Sequence, residues 1–98
     1  MASGAGTQTS REDDVKSLVL YGYPSCPYCR RVLSAISALG IDVPLRNTMT
    51  DEAHNAALVA ATGRETVPVL RIEMQDGSVR WLPESLDIVQ FLNDRSCR

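Results

Sequence analysis

The sequence predicts an α/β domain, a four-stranded mixed sheet flanked by helices in the order β-α-β-α-β-β-α. Three observations carry this prediction. Apolar residues fall by turns at strand spacing and at helical spacing along the chain. A glycine stands where each of the first two helices should stop, at Gly40 and Gly63. An Asp76-Gly77 pair separates the last two strands, and glycine accepts the positive φ of a tight hairpin.

Each element follows in order. The run Ser17-Leu18-Val19-Leu20-Tyr21-Gly22-Tyr23 is a short apolar strand, ended by Pro24 and Ser25. From residue 27 to 39, Val32, Leu33, Ile36 and Leu39 keep helical spacing. A second strand is expected over residues 43–47, and Pro44 makes it an edge strand or a late starter. A helix over residues 51–62 has Thr50 and Asp51 as candidate caps. Residues 67–73 alternate and are β-branched, residues 75–78 turn, and residues 79–82 return as the fourth strand. Leu86, Ile88, Val89 and Leu92 mark an amphipathic helix over residues 85–93. The first strand–helix–strand unit should cross over right-handed and make its strands parallel.

Composition bounds the rest. A chain of 98 residues is one domain, near the lower end for a self-sufficient core. Residues 1–16 are expected as a disordered tail and residues 17–98 as the folded domain. The first ten lack both the basic start and the apolar centre of a secretory signal. No apolar run reaches ~18 residues, so no membrane span is expected. A net charge of −2 weighs against nucleic acid as a partner. Three cysteines, two of them three positions apart, do not make a secreted disulfide scaffold, and a cytoplasmic setting is expected.

The chemistry concentrates in Cys26-Pro27-Tyr28-Cys29. Proline is favoured at the first position of a helix, which makes Cys26 the N-cap. The free N–H groups of the first turn, including that of Cys29, should then point at its sulfur, and the helix dipole favours a thiolate there. Cysteines in such places can have pKa values of ~3.5–7.5. Cys29, one turn on, is within disulfide reach. Arg30 and Arg31 add positive charge nearby. A structural zinc site needs four ligands, and the rest of the chain offers only His54 and Cys97, so no metal is expected. Cys97 is expected to be exposed, His54 solvated, and Trp81 a packing residue of the fourth strand.

The segment from Tyr21 to Cys29 resembles the active site of dithiol glutaredoxins, and Gly63-Arg64-Glu65-Thr66-Val67-Pro68 resembles that family's Thr-Val-Pro segment. The resemblance covers roughly residues 17–95. It implies a thioredoxin fold, Cys26 and Cys29 as the catalytic pair, and a cis Pro68 facing them. Tyr28, Thr66, Val67 and Pro68 would bind glutathione, with the Val67 backbone pairing to its peptide. Two features depart from the pattern. Tyr23 stands where glutaredoxins commonly carry a lysine. Trp81-Leu82-Pro83-Glu84-Ser85 replaces the usual segment before the last helix and is similar to the Glu/Gln-Ser pair of glutathione transferases and transferase-like glutaredoxins. By that likeness Glu84 would accept the γ-glutamyl ammonium, and Ser85 would bind the neighbouring carboxylate.

The resemblance implies a glutathione-dependent thiol–disulfide oxidoreductase, with glutathione as co-substrate. Its partners would be glutathionylated or disulfide-containing proteins, and a monomer is expected. Three other readings stay open at this point. They are an electron donor reduced by thioredoxin reductase, a carrier bridging a [2Fe–2S] cluster between two subunits, and a detached transferase-like N-terminal domain.

Overall fold

The computed structural model describes residues 15–96. Four strands and three helices alternate as β1 (Val15–Gly22), α1 (Pro27–Leu39), β2 (Leu45–Asn47), α2 (Glu52–Thr62), β3 (Val69–Met74), β4 (Val79–Pro83) and α3 (Ser85–Ser96). The sheet order is β2-β1-β3-β4, with β1 and β2 parallel and the other pairs antiparallel. This is the thioredoxin fold. No helix among the described residues is long and apolar enough to cross a membrane.

Register explains how one sheet serves two cores. Leu45, Leu20, Leu70 and Leu82 stand in one row across all four strands. Side chains alternate faces along a strand, so this row and Ile72 meet Val32 and Ile36 of α1 and Ile88 and Leu92 of α3. The neighbouring row, Arg46-Tyr21-Val69, faces the other way with Val19, toward Leu58 of α2.

Chain signals placed the helix ends. Gly40 and Gly63 take left-handed φ values of 67° and 77° as C-caps. Asp51 caps α2, its Oδ1 accepting the Ala53 N–H at 2.9 Å. The last helix runs on to Ser96, three residues past the expected end, and three strand starts differ from expectation. β1 starts at Val15, two residues inside the expected tail, because its pairing with β3 runs on to Met74. β2 starts only at Leu45, since Pro44 has no N–H; its carbonyl accepts the Leu20 N–H instead. β3 starts at Val69, leaving Val67 and Pro68 ahead of the ladder. Cys97 and residues 1–14 lie outside the described residues.

Candidate active site

The dithiol sits where β1 hands over to α1. Cys26 is the N-cap, with φ −82° and ψ 126°, and Pro27 is the first helical residue. The Cys26 N–H donates to the Tyr23 carbonyl at 3.2 Å, so Tyr23 closes the turn with its backbone. The expected cap is corrected in one respect: the Cys26 side chain makes no capping hydrogen bond to the helix.

The two sulfurs are unlike. Cys26 is half-buried, whereas Cys29 is 0% exposed. Burial pushes the Cys29 pKa up to about 11, and the Cys26 side chain adds to the rise by hydrogen bonding and charge repulsion, against a lowering contact from the Tyr23 backbone. Cys29 therefore keeps its proton at neutral pH. The sulfur that solvent reaches is Cys26.

Beside the dithiol lies a cleft of about 860 Å³. Tyr28 from the dithiol turn, Thr66, Val67 and Pro68 ahead of β3, and Glu84 and Ser85 where β4 meets the start of α3 all line it. Three segments far apart in sequence thus meet in one concavity. Neither cysteine is part of its wall. They adjoin it through Tyr28, their neighbour in the chain, and through Pro68, which is buried and, like Cys29, lies against Gly22. The Val67–Pro68 peptide is cis.

At the mouth of α3, Glu84 has a φ of 74°, a left-handed conformation costly for a residue with a Cβ. The carbonyl of Glu84 accepts the Ile88 N–H at 3.0 Å, and Ser85 follows as the first helical residue, its side chain buried. This geometry leaves first-turn N–H groups free to meet an anion.

Several lining residues escape sequence reasoning. Arg31 reaches from α1, its Nη1 donating to Ser85 Oγ at 3.3 Å and its guanidinium 6.0 Å from the Tyr28 ring centroid. Arg64 lines the wall below α2, and Asp87 the wall at α3. In the sequence Arg31 is only one of two adjacent arginines; its twin Arg30 bonds the Pro24 carbonyl on the outside. Trp81 packs on Tyr21 at 5.1 Å, as expected of a packing residue, and also lines the cleft. His54 is not freely solvated: it stands edge-on to Tyr21 at 6.2 Å, with Nε2 3.4 Å from Asp51 Oδ2. Among the described residues, no three of His, Cys, Asp and Glu gather as a metal site.

Comparison with known proteins agrees with this architecture. A family model described as "Glutathione S-transferase, N-terminal domain" matches residues 20–96. Glutaredoxin 2 of Escherichia coli K12 is 32% identical over 74 residues, covering 76% of this chain and 32% of the relative. Among solved structures, glutaredoxin 2 of Salmonella typhimurium in complex with glutathione matches with TM-score 0.67 and 29% identity, over 85% of this chain and 35% of that one. A trimeric glutathione transferase of Leishmania matches with TM-score 0.66 and 28% identity, over 80% of this chain and 17% of that one. The chain spans about a third of the length of the curated relatives it matches. It belongs to the family of glutathione S-transferase N-terminal domains and is glutaredoxin-like within it.

Proposed function

We propose that the protein is a glutathione-dependent thiol–disulfide oxidoreductase acting on protein–glutathione mixed disulfides and on protein disulfides. The observation that carries this reading is the pair of unlike sulfurs beside a charged cleft: one reachable, one buried and holding its proton. Glutathione carries one ammonium and two carboxylates at neutral pH. The cleft offers Glu84 to the ammonium, the Ser85 N–H and hydroxyl with Arg31 to the neighbouring carboxylate, and Arg64 to the second. Val67 stands ahead of the β3 ladder, which leaves its backbone outside that pairing for the tripeptide to meet.

In the first half-reaction the Cys26 thiolate attacks the glutathione sulfur of a mixed disulfide. A Cys26–glutathione bond forms, the old S–S bond breaks, and the protein thiolate leaves and takes a proton. A second glutathione thiolate then attacks that sulfur, giving oxidised glutathione and free Cys26. With a protein disulfide, Cys26 instead becomes joined to the protein. Cys29 loses its proton, attacks the Cys26 sulfur and expels the protein thiol, leaving a Cys26–Cys29 disulfide for two glutathiones to reduce.

The test is a glutathione-coupled assay on both substrate types, run beside a thioredoxin-reductase-coupled one. Cys26→Ser should abolish turnover of both substrates, and Cys29→Ser should lose only the protein disulfide. Equal loss from the two substitutions, or turnover with thioredoxin reductase alone, refutes the scheme. The transferase family favours a second reading, conjugation of glutathione to an electrophile. In that case activity on an aromatic halide should survive Cys29→Ser and exceed disulfide reduction.

A further inference from the structure

Gly22, the last residue of β1, takes none of the positive φ values found at Gly40, Gly63 and Gly77. Its backbone is one that any residue adopts. Glycine inside a strand weakens it and commonly marks the close approach of another group. Here that group is the resolving sulfur. A Cβ at Gly22 would stand 2.6 Å from Cys29 Sγ, 3.6 Å from Cys29 Cβ and 3.8 Å from the Cα of Pro68. Only the first of these is closer than atoms can pack.

We propose that Gly22 is a positioning residue for Cys29: its bare Cα is the socket that lets the resolving sulfur lie buried against the sheet, behind Cys26. The proposal deepens the dithiol reading above and rests on it. The backbone of Gly22 is held on the far side, where its carbonyl accepts the Thr48 N–H at 3.0 Å and its register partner is Asn47 of β2. The strand is therefore fixed, and a methyl group at this position moves the sulfur. Cys29 sits in a helix, where χ1 has few allowed values, so its sulfur leaves by a whole rotamer or drags the first turn of α1 with it. Either way the line from Cys29 Sγ to the Cys26 sulfur is lost. That line matters only in resolution, when the Cys29–Cys26 bond forms, the Cys26–protein bond breaks, and the protein sulfur departs with the electron pair.

The experiment is a stability cycle joined to two thiol readouts, using Gly22→Ala in the wild-type and Cys29→Ala backgrounds. The melting temperature should fall with Gly22→Ala in the wild type and hold in the Cys29→Ala background, where no sulfur needs the socket. An equal fall in both backgrounds, including failure of both to fold, overturns the proposal. Failure of the single variant with folding of the double variant supports it. On a Cys26→Ser background, Gly22→Ala should speed alkylation of Cys29 by iodoacetamide; an unchanged rate overturns it. These measurements need no glutathione, so they decide the role of Gly22 even where the functional reading fails. In the active protein, the ratio of protein-disulfide to mixed-disulfide turnover should drop by about tenfold or more, the scale expected of a misplaced reacting atom; an unchanged ratio overturns it.

Discussion

Replacing Cys29 by serine should flatten the loss of stability that the reduced protein suffers in alkali. In the folded protein the thiol holds its proton up to about 11, against 9.0 ordinarily, chiefly because it is buried. The unfolded chain gives up that proton first. Between these two values the unfolded state binds fewer protons than the native one, so stability falls as pH rises. Below about pH 9 the group contributes no slope. Each pH unit of separation is worth about 1.4 kcal/mol, so the full loss is roughly 2–3 kcal/mol, complete near pH 11. That is a sizeable part of the ~5–15 kcal/mol that holds a small domain together. The assay is urea unfolding of the reduced protein at steps from about pH 8 to pH 11. The measured quantity is the difference between wild type and Cys29→Ser, in which contributions common to both proteins cancel. Parallel curves would refute the burial argument and, with it, the account of why Cys26 attacks and Cys29 waits.

Glu84→Gly should stabilise the fold by about 1 kcal/mol, because glycine adopts the left-handed φ freely; the same change should raise the KM for glutathione, and a stability gain without that rise would remove Glu84 from the binding site. Arg31→Gln should raise that KM about tenfold, as loss of one charge-assisted contact does, with little change in the urea midpoint; a midpoint shift with unchanged KM would make Arg31 a strut between α1 and α3. Asp51→Ala should cost about 1 kcal/mol through the lost cap of α2, measured by chemical denaturation. Leu58→Ala should cost about 2–5 kcal/mol, and a smaller value would show that α2 is held by other means.

The helices were legible because their signals are local. Pro27, Gly40, Asp51 and Gly63 each act within one turn, and each stands where its chemistry requires in the structure. Strand starts were less legible, because they depend on partners. Val15 is a strand residue through pairing with Met74, some sixty positions away, and nothing local says so. The site divided the same way. Six residues quoted for their resemblance line one cleft, since each belongs to a short motif. Arg31 belongs to no motif; its meaning comes from Ser85 on another helix. Gly22 was equally silent, as the absence of a side chain carries information only once the sulfur of Cys29 is seen beside it.

α2 forms one wall of the cleft and is tethered lightly. It buries a single side chain, Leu58, and its five alanines make a helix from intrinsic preference, closed by Asp51 and Gly63 at its ends. α1 and α3, by contrast, share a packed core with the Leu45-Leu20-Leu70-Leu82 row. Amide hydrogens of α2 should therefore exchange through a low-energy local opening, while those of β1, β3 and α1 wait for global unfolding. The two walls of the cleft then move on different clocks. The side bearing Arg64 should open on the faster one, while the side bearing Arg31, next to the cysteines, keeps its shape.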